Sequence, residues 1–382
     1  MSILLTTNTQ LKCMTANLDI QRFSGKLLSS LLPIAYCLAR SAMHPHQTGK
    51  SMPNSPTCPY EFSWFDWFCL WYPPGWLILF NRHWQHYHHD PAGWKWLEYG
   101  LFLMPGGFYL ALLSRWLRLG CRSPHREIEE FYPDYQQVFC DEILDPIMTH
   151  YFRAELHLQD NLPPSQSLIV AMNHGGMCFP WDFLGLGYLL RKTEGWVVQP
   201  LANVVLFEHP WMIWWLPPAW SKALGGVQAQ RDDFEDAVMH KTILLYAPEG
   251  VRGPGKGWSK RYQLQTFHPS FIQLSNRYRM PILPVVCLGS EFLHPWAWNV
   301  KALAKRVNLP FFPVSPLMIA FVLFPSMGVW AMRTQLRYYL QAFEQPEIEV
   351  TSGSNVRSQV YQQAQRLRDK LQHQINQRLS RH

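Results

Sequence analysis

A short apolar run that leads through paired glycines into a second apolar stretch constrains the fold more than any other feature. Residues 168–171 are apolar and partly β-branched, which is typical of a buried strand. Gly175 and Gly176 favour a turn, and apolar residues recur at helical spacing over residues 183–190. The segment therefore predicts a buried strand, a glycine turn and a helix in immediate succession.

Strand and helix signals continue to alternate after this segment. Further strand candidates lie at residues 195–198, 243–247 and 282–286, and helix signals lie after Trp181 and over residues 211–215. Alternation of this kind predicts an α/β fold with a mixed, largely parallel sheet flanked by helices. Sites in such folds lie beyond the carboxyl ends of the strands. We therefore expect His174 and Glu249, which follow two of the strands, to lie at that edge.

His174 and Asp182 form a candidate acid–base pair. Asp182 falls in the first turn of the predicted helix, where Pro180 suits the start and the helix dipole favours a carboxylate. An imidazole can take a proton from a hydroxyl while a carboxylate orients the ring. The alternatives are a buried structural histidine and a helix-capping aspartate. Cys178 lies between them, but no neighbour in the sequence would lower its thiol pKa, so we do not expect a nucleophile there.

Four segments, in order, resemble the four motifs of the glycerolipid (lysophospholipid-type) acyltransferases, the superfamily that includes the 1-acylglycerol-3-phosphate acyltransferases. The first motif of that family reads Asn-His, four residues, Asp, whereas seven residues separate His174 from Asp182 here. Some branches carry a longer insert that ends in Pro-Trp-Asp, as residues 180–182 do. Val251 replaces the commoner threonine of the third motif. The segments are Asn173 to Asp182, GGVQAQR at 225–231, LLYAPEGVRG at 244–253 and MPILPVVCLGSE at 280–291.

The resemblance implies an enzyme that moves a fatty acyl group from acyl-CoA or acyl carrier protein to a lipid hydroxyl, with no metal and no cofactor. It implies His174 as the general base and Asp182 as its orienting partner. Arginine offers a planar fork for phosphate and glycine lets the backbone approach a ligand, although surface ion pairing is the alternative for the arginines. Backbone N–H groups near Gly175 or Gly250 are expected to bind an oxyanion. The implied substrate-binding residues are Gly226, Arg231, Glu249, Gly250 and Arg252.

The acceptor stays open at this point. A lysophosphatidic acid-type glycerolipid is favoured because Arg231 and Arg252 could bind its phosphate. A neutral acceptor such as diacylglycerol or a long-chain alcohol would suit the apolar composition. Alternatives of other classes are an acyl-ester hydrolase, in which His174 activates water, and a non-catalytic membrane-surface protein. The sequence contains no Gly-x-Ser-x-Gly nucleophile elbow, which argues against a serine hydrolase.

Charged residues are scarce and aromatic residues are abundant. Of 382 residues only 16% are charged, whereas 15% are aromatic and 18 are tryptophan. This composition predicts contact with a membrane lipid surface, and the net charge of +7 suits anionic lipid. No nucleic-acid motif accompanies the basic residues, so no nucleic-acid partner is expected. Eight cysteines without a CxxC pattern predict small buried residues in a reducing compartment, and hence association with the cytoplasmic face of a membrane.

Composition divides the chain into four predicted regions. Residues 1–58 form a flexible or disordered segment, 59–150 an aromatic-rich membrane-interface helical region, 151–350 the acyltransferase domain and 351–382 a C-terminal amphipathic helix. The uncharged runs at 67–81 and 99–114 fall short of the roughly 20 residues of a spanning helix. They predict helices that lie in one leaflet, with plain core helices as the alternative.

Four other segments carry smaller predictions. Four prolines interrupt the uncharged residues 307–332, which favours a monotopic protein over a spanning one. Histidines crowd residues 83–90, where a polar interfacial patch is favoured over a metal site. Lys256, Lys260 and Arg261 are candidates for contact with an acidic acyl carrier, or simply a solvated face. The closing helix should bury one side, made of Val360, Ala364, Leu367, Leu371 and Ile375.

Overall fold

The fold was analysed in a computed structural model of the chain. The described residues are 58–88, 90–124, 131–157, 167–202, 214, 216–217, 220–228, 237, 243–346 and 356–380. Arg231, residues 1–57 of the predicted N-terminal segment and most of the helix predicted at 211–215 lie outside the described residues.

Helices account for most of the described residues before the sheet. Ser63 and Asp66 form a capping box that starts the first helix, because the Ser63 side chain accepts from the Asp66 N–H and the Asp66 carboxylate accepts from the Ser63 N–H. Two π-helical turns, Cys140–Leu144 and Ile147–Tyr151, lead towards the sheet. The helices are α1 Trp64–Trp71, α2 Trp76–Tyr87, α3 Trp96–Phe102, α4 Gly107–Arg118 and α5 Pro133–Phe139.

The rest of the described chain alternates strands and helices. The strands are β1 Glu155–His157, β2 Leu168–Met172, β3 Val198–Ala202, β4 Val227–Gln228, β5 Ile243–Tyr246, β6 Ile282–Leu288, β7 Trp298–Asn299, β8 Pro313–Val314 and β9 Arg337–Leu340. The helices are α6 Trp181–Glu194, α7 Trp220–Ala223, α8 Ser270–Tyr278, α9 Lys301–Arg306, α10 Met318–Leu323 and α11 Val356–Leu379.

Seven strands form one sheet in the order β1-β9-β6-β2-β5-β3-β4. Every neighbouring pair is parallel except β6 and β9, which are antiparallel. The prediction of a mixed, largely parallel sheet flanked by helices is confirmed. Strands β2, β5 and β6 lie side by side and parallel, so their carboxyl ends meet at one edge.

The two faces of the sheet are covered by different parts of the chain. Leu168, Val170 and Met172 point to the face that packs against α2, α5 and α6. Ile169 and Ala171 point to the opposite face, which packs against α8 and α11. This alternation follows from the period of two in a strand, and it explains why β2 is apolar at every position. The molecule is thus a helix–sheet–helix sandwich, and the five residues predicted for the buried side of α11 are all buried.

Several expectations differ from the structure. The strand predicted at 195–198 lies later, at β3, because Gly195 adopts a left-handed conformation (φ 68°) that ends α6. Residues 76–81 belong to α2 and are fully or almost fully buried, so this run is a core helix and not a leaflet helix. The run WLILF is apolar on every side, which is typical of a buried helix. Cys58 and Cys121 are exposed, contrary to the prediction that the cysteines are buried.

Two further findings concern the helical region and the membrane predictions. His83 is buried and its Nε2 lies 2.9 Å from Glu142 Oε2, so it belongs to an internal polar network and not to an interfacial patch. No group of three or more candidate metal ligands comes together among the residues that the structure describes. Within the same residues, no helix combines the length and the apolar character that crossing a bilayer requires.

Candidate active site

The polar residues that follow β2, β5 and β6 meet at one edge of the sheet. His174 lies two residues after β2, Glu249 three residues after β5 and Glu291 three residues after β6. A side chain built on Gly253 would lie 3.1 Å from Glu249 Cβ and 2.7 Å from the His174 carbonyl oxygen, so these two loops are in close contact. The edge predicted for the site therefore does bring His174 and Glu249 together.

His174 and Asp182 form a hydrogen-bonded pair. Nδ1 of His174 lies 2.8 Å from Oδ2 and 3.0 Å from Oδ1 of Asp182. An ionised carboxylate only accepts hydrogen bonds, so Nδ1 carries the proton and Nε2 is left with its lone pair. The Asp182 side chain is fully buried, whereas the His174 side chain is 15% exposed. A ligand can therefore reach the histidine but not the aspartate.

The seven-residue spacing between the two residues is accommodated by a tight glycine turn. Gly176 has φ 76°, and a Cβ atom on it would lie 2.6 Å from the carbonyl oxygen of Ser290. A Cβ atom on Gly175 would lie 2.7 Å from Ser290 Oγ and 2.8 Å from Glu291 Cδ. Only glycine fits at both positions, and the turn presses against the loop after β6. The longer insert thus folds back and returns Asp182 to the histidine.

The surrounding hydrogen bonds fix both members of the pair. Asn173 bonds the backbone of Cys287 twice, as acceptor from its N–H at 2.7 Å and as donor to its carbonyl at 3.0 Å. The hydroxyl of Tyr338 donates to the Asp182 carbonyl at 2.8 Å, and Trp181 Nε1 donates to the Val329 carbonyl at 2.8 Å. The asparagine before the histidine is therefore a structural residue that joins β2 to β6.

Opposing effects set the protonation of His174. Burial alone would lower its pKa, but the charge and hydrogen bond of Asp182, and the charges of Glu249 and Glu291, raise the pKa above the ordinary histidine value. A raised pKa makes the imidazole a stronger base. Burial holds the pKa of the Cys178 thiol well above its ordinary value, which agrees with the expectation that this cysteine is not a nucleophile.

Glu249 is a buried carboxyl group with one unused oxygen. Its Oε2 accepts from the Gln265 N–H at 2.7 Å, while Oε1 is buried and has no hydrogen-bond partner among the described residues. Burial raises the pKa of Glu249, and the charge of Lys256 opposes this shift. A carboxyl group that binds its proton can donate a hydrogen bond as well as accept one.

The predicted substrate-binding residues do not all lie together. Gly250 and Arg252 form the 3₁₀ turn directly after Glu249, and Arg252 is exposed with no ion pair to any described residue. Gly226 lies before β4, which is three strands from β2, or about 14 Å at the usual strand spacing. Strands β5 and β3 lie between Gly226 and β2, and the substrate-binding role of Gly226 stays a prediction. Arg231 lies outside the described residues.

The backbone N–H groups of Gly175 and Gly250 both have hydrogen-bond acceptors within the protein. The Gly175 N–H donates to Asp182 Oδ2 at 3.2 Å, and the Gly250 N–H donates to the Ala247 carbonyl at 2.9 Å. These two N–H groups already have acceptors, and the oxyanion donors expected near Gly175 or Gly250 stay a prediction. In each case the N–H group makes a hydrogen bond within the turn that carries the preceding residue, His174 or Glu249.

Lys256 and Glu291 are the residues whose place in the site the sequence did not reveal. Nζ of Lys256 lies 2.7 Å from Oε1 of Glu291, and their side chains are only 2% and 6% exposed. Lys256 is thus buried and cannot contact an acyl carrier as predicted, whereas Lys260 and Arg261 are exposed. The available signal was the position of Glu291 directly after a buried strand at the site edge.

Comparison with known proteins finds a family model that is similar to the segment holding this site. The family model described as Acyltransferase matches residues 153–288, which contain β2, β5, β6 and both members of the His174–Asp182 pair. Uncharacterized proteins of Mycobacterium tuberculosis and Mycobacterium bovis are each 30% identical to the chain over 190 residues, which cover 49% of this chain and 51% of the relative. An uncharacterized protein of Mycobacterium leprae is 28% identical over 190 residues, 49% of this chain and 50% of the relative.

These matches span about half the length of the curated relatives. Among solved structures, the 1-acyl-sn-glycerophosphate (LPA) acyltransferase PlsC from Thermotoga maritima is similar at a TM-score of 0.37 and 16% identity, with 77% of this chain and 95% of that chain covered. Residues 153–288, which hold the paired histidine and aspartate at the edge of their parallel sheet, are thus similar to the Acyltransferase family model.

Proposed function

We propose that the chain is a membrane-associated acyltransferase that moves a fatty acyl group from acyl-CoA or acyl carrier protein to a lipid hydroxyl. The observation that carries the proposal is the His174–Asp182 pair, 2.8 Å apart at the edge where β2, β5 and β6 end. The family match over residues 153–288 supports the reaction class.

The geometry supports a general-base mechanism. His174 Nε2 takes the proton of the acceptor hydroxyl while Asp182 stabilises the imidazolium that forms. The acceptor oxygen attacks the thioester carbonyl, a tetrahedral intermediate forms, and its collapse breaks the C–S bond. The imidazolium returns the proton to the leaving thiolate. The products are an ester and the free thiol of the carrier, so the reaction balances without an oxidant or a reductant.

We propose a lysophosphatidic acid-type glycerolipid as the acceptor. Arg252 supports this choice because its exposed guanidinium follows Glu249 by three residues and has no ion pair with a described residue. A planar guanidinium binds phosphate through two hydrogen bonds.

An exposed apolar surface supports membrane association. Helix α10 has the sequence MIAFVL and buries none of its residues. It adjoins the helical region, because the Gly106 N–H donates to the Leu323 carbonyl at 2.7 Å and the Tyr109 hydroxyl to the Val322 carbonyl at 3.2 Å. We call the following exposed side chains the apolar face: Trp64, Phe68, Met104, Tyr109, Ile319 and Val322.

The apolar face has the composition of a surface that enters the lipid interface. Trp64 is 80% and Ile319 74% exposed, an unfavourable arrangement in water that burial in lipid would relieve. Tryptophan and tyrosine favour the headgroup level.

A transfer assay tests the function. Purified protein with labelled acyl-CoA, or labelled acyl carrier protein, is offered lysophosphatidic acid and diacylglycerol in separate vesicles. We expect ester from lysophosphatidic acid, loss of at least about 100-fold in His174→Ala, and no loss in the matched control His157→Ala, an exposed histidine on β1. Transfer by His174→Ala at the wild-type rate would refute the general base. If only diacylglycerol gave product, the acceptor would be a neutral lipid, and the proposal that Arg252 binds a phosphate would be refuted.

Vesicle sedimentation tests the apolar face. The double substitution Ile319→Glu with Val322→Glu should release the protein from vesicles of phosphatidylcholine and phosphatidylglycerol. The control Tyr361→Glu, at an exposed aromatic residue on α11, should remain bound. Equal binding by both variants would show that this face does not contact lipid.

A further inference from the structure

The buried ion pair between Lys256 and Glu291 joins two of the loops around the histidine. Lys256 belongs to the loop after β5 and Glu291 to the loop after β6. Glu291 Oε1 also accepts from the Tyr262 N–H at 3.1 Å, and the Tyr262 carbonyl accepts from Gln372 Nε2 at 2.9 Å on α11. The pair thereby ties both loops to the last helix.

Glu291 presses directly on the turn that carries the histidine. A Cβ atom on Gly175 would come within 2.8 Å of Glu291 Cδ, so no side chain separates the carboxyl group from this turn. Lys256 Nζ lies 2.7 Å from Glu291 Oε1 and compensates its charge at this buried place. The Glu291 end of the pair therefore faces the His174 turn in a place that water hardly reaches.

We propose that Glu291 and Lys256 are positioning residues for the general base: Glu291 supports the His174 turn and places its carboxylate beside it, and Lys256 holds Glu291 there through their buried ion pair. The inference rests on the proposed function of His174. Neither residue needs to touch the substrate, because both act through the histidine.

The charged groups that face His174 come from three elements. Asp182 lies on α6, Glu249 follows β5 and Glu291 follows β6, and all three raise the pKa of His174. Lys256 lies beside Glu291 and also lowers the pKa of Glu249. Removing the Glu291 charge while Lys256 remains should therefore lower the pKa of His174.

Two readouts on Glu291→Gln test the inference. The pKa of His174 is measured by NMR titration of histidine-labelled protein, with His174→Ala to assign the resonance. The pH profile of kcat/KM is measured with lysophosphatidic acid in vesicles. We expect both the NMR pKa and the acid limb of the profile to fall by at least about 0.5 unit. An unchanged His174 pKa in the folded variant would overturn the electrostatic role.

Lysine variants test the positioning role. Lys256→Arg keeps the cation and should retain the wild-type pH profile, whereas Lys256→Met should lose at least about tenfold in kcat with little change in KM. Wild-type activity in Lys256→Met would overturn the positioning role. Lys192→Met is the matched control, because Lys192 forms an exposed ion pair with Asp145 at 2.6 Å. It should change neither readout.

The double variant Lys256→Met with Glu291→Met keeps the test decisive if a single variant fails to fold. Apolar residues of similar volume often replace a buried ion pair without loss of stability. We expect this folded variant to show a lowered His174 pKa, and an unchanged value would overturn the inference. The NMR titration of His174 does not require acyl transfer. A wild-type protein without transfer activity would therefore contradict the proposed function, while the titration would still test the roles of Glu291 and Lys256.

Discussion

Asp182→Asn tests whether the carboxylate of Asp182 orients His174, because asparagine has nearly the same shape but no charge. The carboxylate accepts from the Gly175 N–H at 3.2 Å and the Phe183 N–H at 3.0 Å, in addition to His174 Nδ1. Asparagine offers only one acceptor oxygen, so its NH₂ group must face one of these donors. Facing Nδ1, it would favour the tautomer that carries the proton on Nε2, which cannot accept a proton from a hydroxyl.

The expected loss follows from the contacts that disappear. A positioned general base contributes about 10²- to 10⁴-fold, so kcat should fall by that range while KM changes little. Loss of hydrogen bonds to a buried charged group should also reduce the free energy of unfolding by about 1.5–3 kcal/mol. The difference in stability from wild type should be largest at low pH, because a raised histidine pKa contributes stability that is lost as pH rises through the folded-state value.

The assay is the transfer reaction between about pH 5 and 9, with thermal unfolding on the same samples. Because the largest influence raising the pKa of His174 is removed, the acid limb of the residual activity should move to lower pH. Asp145→Asn, at the exposed pair with Lys192, is the control and should retain activity. A variant of Asp182 with wild-type kcat and an unmoved acid limb would refute the orienting role.

Three structural predictions follow from the same contacts. Asn173→Ala removes both hydrogen bonds to the Cys287 backbone and leaves buried groups unpaired, so the free energy of unfolding in denaturant titration should fall by about 1–3 kcal/mol. An unchanged denaturation midpoint would contradict the role of Asn173 in joining β2 to β6. Gly176→Ala places a Cβ atom 2.6 Å from the Ser290 carbonyl at φ 76°, so a lower melting temperature and a lower kcat are expected, and full activity would show that the turn can relax. Leu371→Ala on α11 removes a fully buried side chain and should destabilise the fold by about 2–5 kcal/mol, whereas a loss below about 1 kcal/mol would mean that α11 packs loosely.

Local patterns were sufficient to predict the elements that position the site. The apolar run of β2 and the helical spacing after Trp181 are properties of adjacent residues, and so is the placement of His174 and Glu249 after strands. The packing of α11 was predictable for the same reason, since its buried positions repeat at helical spacing. These patterns can be read from residues that are close together in the sequence.

The rest of the site depends on residues far apart in the chain. Lys256 and Glu291 are separated by a helix and a strand, and nothing near Lys256 in the sequence distinguishes it from the exposed Lys260. The engagement of the Gly250 N–H depends on the turn geometry after β5, which residue types do not specify. Tryptophan-rich composition was also ambiguous for α2, because aromatic residues suit both a core and a membrane interface.

Aromatic rings of α2, which lies outside the segment that the family model matches, pack against aromatic rings inside that segment. The Trp76 ring lies 5.0 Å from Trp181, and the Phe80 ring lies 5.4 Å from Trp220. Residues well before the family match thus cover one face of the sheet, and α11, well after the match, covers the other. A truncated chain of residues 153–288 would keep α6 and α8 but lose α2 and α5 from one face of the sheet and α11 from the other, so it should expose apolar surface and aggregate. The segment that comparison detects is therefore shorter than the unit that can fold.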